Sequence, residues 1–319
     1  MLLSLFAFSS AWQPPIGNGF VRSTSQAMLR MQTGLDPDAE ALLAEVDGDA
    51  GKARTSHMGY TLAYVKEEMP ELYSRIRDDP THPDAHRALV EITWDAIAAF
   101  LPVTHAPKPT PAASQKLTAV ARAGCDGSEL EPSVLDVGCG NGLLLPFLVA
   151  CGAPAAKYRG IDVSEGMIGR AQAAHSDQPE ATFDALSFGE VVEEVDATPR
   201  AYDTIYFNGA LQFFEDSVFT IAGAARLLAR TASARLVISH LNGAAFVRTE
   251  KADNPQTVLS TMPTLATLAD AAAPLGFQVV LPAFLGTDPK DIENALEDFY
   301  LVVMRWDETA LLGTEKPSD

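Results

Sequence analysis

No apolar run in this chain reaches the roughly 18 residues that a membrane-spanning helix requires. Basic residues are scarce: 23 Lys and Arg stand against 42 Asp and Glu, a net charge of −19. Such a surface repels phosphate backbones and anionic lipid, and no Lys/Arg cluster offers a local exception. Nucleic acid is therefore not an expected partner. Cys125, Cys139 and Cys151 fall in no metal-ligand or disulfide spacing and read as small buried residues. No Asn-X-Ser/Thr sequon occurs. Both features argue against a mature secreted glycoprotein. Acids are missing from the first 35 residues, which carry Arg22 and Arg30 before the first acid, Asp36.

What the chain does contain is enough apolar residues, 47% of 319, for one sizeable α/β domain and an appendage. Leu2 to Phe8 forms a short apolar core, Ser9-Ser10-Ala11 a small-residue cleavage site, and residues 12–33 a stretch rich in Ser, Thr, Gln and Arg. That order resembles the two-part plastid leaders of algae with secondary plastids, so residues 1–35 are expected to be a targeting leader. The alternative is a plain disordered N-terminus on a cytoplasmic protein. Residues 36–101 read as helical, and the spacing predicts helices near 38–46, 59–69, 71–77 and 83–100. Pro83 suits a first helical position, and Leu89, Ile92, Ile97 and Phe100 share a face. Together they suggest a helical cap. Pro102, Pro107, Pro109 and Pro111 make 102–113 a stiff linker.

From about 114 to 305 the pattern alternates. Strands are expected at 133–137, 157–163, 181–186, 203–208, 234–239, 276–281 and 298–304. Helices are expected at 142–151, 165–174, 217–230 and 264–274. Alternation of this kind predicts an α/β, doubly wound, mostly parallel, Rossmann-like sheet of seven strands, with helices on both faces. The last two strands, joined through Asp288 to Glu297, suit an antiparallel pair. Residues 306–319 read as a tail.

The most informative stretch runs Val134-Leu135-Asp136-Val137-Gly138-Cys139-Gly140-Asn141-Gly142. A β-prone run carrying an acid meets glycines at every second position, and a helix-compatible segment comes next. Glycine lets the backbone approach a ligand closely. Twenty residues after Gly142, Asp162 closes a second strand with a carboxylate able to take both hydroxyls of a ribose. A dinucleotide site would need G-x-G-x-x-G, but its third glycine is replaced by Leu143. Asp136 would also repel a pyrophosphate, whereas it suits a ligand carrying an ammonium and a sulfonium.

The stretch 134–142 resembles the first motif of class I S-adenosylmethionine-dependent methyltransferases. Gly160 to Ile168 is similar to their second motif. Ala201 to Phe214 is similar to their fourth-strand motif. Arg226-Leu227-Leu228 before Ala234 to Ser239 is similar to the helix and fifth strand of that family. The resemblance extends to methyltransferase-like proteins of algal and plant plastids. It implies S-adenosyl-L-methionine as cofactor, with Gly138, Cys139, Gly140, Asn141 and Gly142 around its methionine and ribose portions. It further implies Asp136 near its amino group, Asp162 on the ribose, and Val163 and Met167 against the adenine. Asp184, with Ala185 or Leu186 beside it, would meet the adenine amino group. Asn208, Gly209 and Leu211 would close over the reactive methyl.

The acceptor is less marked. Asn208-Gly209-Ala210-Leu211 is not the Asn-Pro-Pro-aromatic tetrad that points to amino groups on bases or amides, and no Pro-Cys nucleophile is present. His240, at the end of the fifth strand, is a candidate general base. Tyr206, Gln212 and Glu215 are weaker ones. Residues 241–262 read as a long loop of lid type, with Phe246 and Arg248 able to meet the acceptor. His82 and His86 lack a completing ligand, so no metal site is expected. The expected activity is methyl transfer to O or N of a small-molecule acceptor. A protein methyltransferase and a non-catalytic interaction module are the alternatives.

Overall fold

A computed structural model describes residues 83–98, 108–125, 131–194 and 202–312, with Pro70, Glu71, Ser74 and Asp78. The expected leader 1–35, the helices expected at 38–46 and 59–69 and the residues after 312 lie outside them. In chain order the helices and strands are α1 (Pro83–Ala98), α2 (Pro111–Cys125), β1 (Val134–Val137), α3 (Leu145–Ala150), β2 (Tyr158–Asp162), α4 (Glu165–Ala174), β3 (Thr182–Ala185), α5 (Phe188–Glu194), β4 (Thr204–Asn208), α6 (Ser217–Leu227), β5 (Arg235–His240), α7 (Gly243–Asp253), α8 (Leu265–Ala272), β6 (Phe277–Val280), α9 (Pro289–Asp298), β7 (Tyr300–Trp306) and α10 (Glu308–Leu312).

The seven strands form one sheet in the order β3-β2-β1-β4-β5-β7-β6. Every pairing is parallel except those of β7, which runs antiparallel to both β5 and β6. The antiparallel terminal pair is therefore present, with β7 inserted between β5 and β6. Strand side chains alternate between faces. Leu135, Ile205, Leu236 and Val302 pack with residues of α5, α6 and α8. Val134, Tyr206, Val237 and Leu301 pack on the other face with residues of α2, α3 and α4. The chain order reverses direction beside β1 and β4, and a ligand crevice opens at the carboxyl ends of strands at such a switch point.

Three expectations change. The linker of 102–113 ends early, because Pro111 is the first residue of α2, a position where proline's missing N–H costs nothing. The expected long loop 241–262 contains α7. Its buried Ala244, Val247 and Glu250 recur every three residues, and it packs along α9. Gly243 permits this: at φ +74° its missing Cβ would lie 1.9 Å from the backbone oxygen of Glu297. The expected tail beyond 305 begins with the last strand residue, Trp306, and continues into α10.

Candidate active site

The turn after β1 is tied to the end of β2. The N–H groups of Gly138 and Cys139 both donate to the Ile161 carbonyl, at 2.8 and 3.0 Å. Gly140 N–H donates to Asp162 Oδ2 at 3.0 Å, and Ser164 N–H to Asp162 Oδ1 at 3.0 Å. The Asp162 carboxylate is thus held by two backbone donors, and each oxygen keeps accepting capacity for a further hydroxyl. Gly138, Gly140 and Gly142 have φ of 67°, 54° and 75°, the left-handed region that glycine enters without strain.

The two terminal glycines serve different ends. A Cβ at Gly142 would lie 2.8 Å from the His175 ring and 2.9 Å from Phe183, so that glycine is required by packing beneath the turn. A Cβ at Gly140 would meet no protein atom within 4 Å. Gly140 also lines the cavity, so the open space at its Cα is a cradle for a ligand placed against the backbone.

Asp136 is 2% exposed and accepts from the Tyr158 hydroxyl at 2.8 Å. Burial pushes its carboxyl up to about 7; the Tyr158 hydrogen bond opposes this and the Asp162 charge adds to it. Burial likewise pushes Asp162 up to about 6, against the hydrogen bonds from Ser164 and Gly140, with Asp95 adding repulsion. Two destabilised carboxylates side by side suit a ligand that brings a cation and hydroxyl donors.

A cavity of about 480 Å³ joins these groups, within the range ligand pockets occupy. Asp136, Gly138, Cys139, Gly140, Asn141, Asp162, Val163, Met167, Asn208, Gly209 and His240 line it. Gly142 and Leu211 do not: the first supports the turn and the second is core. Asp184 and Ala185 do not line it either. Asp184 turns to Arg159, accepting from its Nε at 2.7 Å, while the same guanidinium reaches Glu194 at 2.9 Å. Leu186, Ser187 and Phe188 occupy the wall expected for Asp184 and Ala185.

His240 is buried, stacked on Phe246 with ring centroids 5.5 Å apart, and its Nδ1 accepts from Asn242 N–H at 3.3 Å. With Nδ1 accepting, the proton of a neutral ring sits on Nε2. The other candidates divide. Glu215 lines the cavity. Tyr206 is buried among α2 residues and donates to the Ala121 carbonyl at 2.9 Å. Gln212 donates to the Gly209 carbonyl at 2.9 Å, shaping the turn after β4. Arg248 pairs with Glu297 on the surface instead of reaching the cavity.

The cavity's roof is α1, which the sequence pattern assigns to a cap without giving it contacts. His86, Arg87, Val90 and Trp94 line the cavity from this helix. Asp95 Oδ1 accepts from Ser164 Oγ at 2.5 Å and Gly166 N–H at 2.9 Å, reinforcing the N-cap of α4 that Ser164 makes to Met167 N–H. His86 Nε2 lies 2.8 Å from the Phe213 carbonyl, and Trp94 meets the Phe213 ring edge-on at 5.6 Å. Leu259 closes a further side from the segment after α7. The signal for the roof in the sequence is the amphipathic helix beginning at Pro83. Nothing marks Leu259. Among the described residues no cluster of His, Cys, Asp or Glu could hold a metal ion, and no helix is long and apolar enough to cross a membrane.

Residues 135–233 match a family model described as a methyltransferase domain. No curated protein matches the chain. Among solved structures, an S-adenosylmethionine-dependent methyltransferase from Mesorhizobium loti is 21% identical, covering 59% of this chain and 96% of that one, with a TM-score of 0.42. Magnesium protoporphyrin IX methyltransferase from Synechocystis PCC 6803, with bound S-adenosylhomocysteine, is 18% identical, covering 70% of this chain and 100% of that one, with a TM-score of 0.48. An N-methyltransferase from Bradyrhizobium japonicum WM9 in complex with S-adenosylhomocysteine is 19% identical, covering 63% and 90%, with a TM-score of 0.44. Likeness at this level says nothing about an acceptor. The matched segment holds the glycine turn and Asp162, so residues 135–233 of this chain are similar to a methyltransferase domain.

Proposed function

We propose that the protein transfers a methyl group from S-adenosylmethionine to O or N of a small molecule. The cofactor supplies an electrophilic methyl on sulfur, so the protein's part is alignment more than acid–base chemistry. The turn 138–141 accommodates a ligand against the backbone at Gly140. Asp162 accepts hydroxyl donors, and Asp136 favours an ammonium group. Val163, Met167 and Leu186, all in the lining, give an apolar surface for a base. Asn208, whose Oδ1 accepts from Ser239 Oγ at 2.9 Å, is held rigid at the end of β4 beside Gly209.

The roof carries the small-molecule reading. With α1 fastened to α4 and to Phe213, the remaining space is lined by Val90, Trp94, Phe213, Phe214 and Leu259, with His86, Arg87 and Glu215 among them. A recess of that form suits a compact acceptor with an apolar body better than a segment of polypeptide. The test is incubation of the protein and a tritiated-methyl donor with cell extract, then separation into small-molecule and macromolecular fractions. Label in the small-molecule fraction is expected. Label confined to macromolecules would favour a protein acceptor and overturn the reading. The leader supports a second proposal, on sequence alone: residues 1–35 direct the protein to a plastid. Fusing them to a fluorescent reporter in an alga with secondary plastids would show plastid fluorescence; a cytosolic signal would reject it.

A further inference from the structure

The acceptor half of the cavity has a definite charge character. Among the described residues, and leaving Asp136 and Asp162 to the cofactor half, the charged side chains lining the cavity are Glu215 and Arg87. Arg87 is engaged, pairing with Glu190 at 3.1 Å. Burial lowers the pKa of His86 below the ordinary histidine value, while hydrogen bonds to the Phe213 and Gln256 carbonyls and the charge of Glu215 act against this. Its two ring nitrogens face the carbonyls of Phe213 and Gln256, at 2.8 and 3.3 Å. An anionic acceptor entering here would lose its hydration and find no uncommitted cation to replace it.

The walls point the same way. Trp94 and Phe213 meet edge-on at an interplanar angle of 89°, forming a corner of two aromatic rings, and Phe214 continues the same wall. Glu215 stands at the exposed end of that wall, two residues from Phe213. Aromatic faces attract cations through the ring quadrupole, most strongly when partly desolvated, and a nearby carboxylate adds a direct counter-charge. The net charge of −19 draws cations towards the protein from a distance.

We propose that the methyl acceptor is an amine on an apolar, ring-bearing body, recognised by the Trp94–Phe213 corner and Glu215, and that methylation is at nitrogen. This rests on the methyl-transfer reading and narrows its O-or-N alternative. The ammonium form is drawn in and loses one proton to water. The nitrogen lone pair then forms the N–C bond as the methyl–sulfur bond breaks, with that bond's pair remaining on sulfur. The product leaves as a methylated ammonium ion.

The experiment is calorimetric titration of the full chain, saturated with S-adenosylhomocysteine, with three matched probes: 2-phenylethylamine, 2-phenylethanol and 3-phenylpropionate. The amine is expected to bind about tenfold more tightly than the alcohol, and the acid not to bind. Glu215→Gln should weaken the amine about threefold and leave the alcohol unchanged. Trp94→Phe, which keeps a ring in the corner, should retain the amine preference. Binding of the acid as tightly as the amine, equal binding of amine and alcohol, or binding of none overturns the proposal. If folded protein fails to bind S-adenosylhomocysteine, the methyl-transfer reading falls, and the proposal with it.

Discussion

The two halves of the cavity are built differently. The half formed by β1, its glycine turn and β2 comes from one continuous stretch, 134–167, in which Asp162 is bonded directly to Gly140. The other half draws Val90 and Trp94 from α1, Phe213 and Glu215 from the turn after β4, His240 from β5 and Leu259 from beyond α7. The first half has its geometry dictated locally, by positive-φ glycines and short hydrogen bonds. The second depends on docking of elements far apart in sequence, through contacts such as His86 with the Phe213 carbonyl and Asp95 with α4. A local cradle suits the ligand shared across methyl transfer, whereas an assembled wall can vary with the acceptor.

The sharpest way to break this contrast is at the glycine turn. Gly142→Ala places a methyl 2.8 Å from His175 at a backbone φ of +75°. Strain and overpacking together should cost about 2–5 kcal/mol. A large fall in melting temperature with loss of S-adenosylhomocysteine binding is expected; wild-type behaviour in both would contradict the packing role. Gly140→Ala meets no protein atom, so it should lower cofactor affinity with a much smaller loss of stability.

Next in size is Asp162, the acid proposed to meet the ribose. Removing hydrogen bonds to a charged group costs about 1.5–3 kcal/mol, so Asp162→Ala should weaken cofactor binding roughly tenfold to a hundredfold by calorimetry. An affinity within twofold of wild type would remove Asp162 from the site.

A smaller effect is pH-dependent. Asp162 and Asp136 are raised from 3.8 to about 6 and about 7. Because these folded-state values are raised, their contribution to stability of the ligand-free protein is full below the unfolded value and is lost as pH rises through 6 to 7. On the proposed reading the cofactor meets the ionised forms, so its binding should run the opposite way and strengthen across that window. Melting curves with and without S-adenosylhomocysteine from pH 5 to 8 check both signs, and a ligand-induced shift that shrinks with rising pH would contradict them. The smallest expected effect is at Asp184. It is paired with Arg159 outside the cavity, so Asp184→Ala should leave cofactor affinity within about twofold while losing at most about 1 kcal/mol of stability. A tenfold loss would return Asp184 to the adenine wall.

The same contrast explains what is legible in the sequence. The mostly parallel seven-stranded sheet can be read there from the strand–helix alternation, and the local cradle because the glycines, Asp136 and Asp162 signal through spacing alone. Asp184 misleads because an acid at a strand end looks the same whether it faces a ligand or a neighbouring strand; Arg159, opposite Thr182 in the register of β2 on β3, decides the direction. Helix α7 reads as loop because Asn242-Gly243 signals a turn, while the reason for that glycine, the backbone of α9, is more than 50 residues away. Leu259 gives no signal, since its place depends on its own N–H and that of Ser260 meeting the Gln212 carbonyl. Tyr206 and Arg248 carry reactive-looking groups whose partners, Ala121 and Glu297, exist only in the folded chain.

The central claim is that the stretch 136–167 cradles the methyl donor. A thermal-shift titration of the full chain with S-adenosylhomocysteine, run beside NAD, tests it most directly. The account predicts a saturable rise in melting temperature with S-adenosylhomocysteine, much reduced in Asp162→Ala, and none with NAD. No shift at millimolar S-adenosylhomocysteine in folded protein, or a larger shift with NAD, would contradict it.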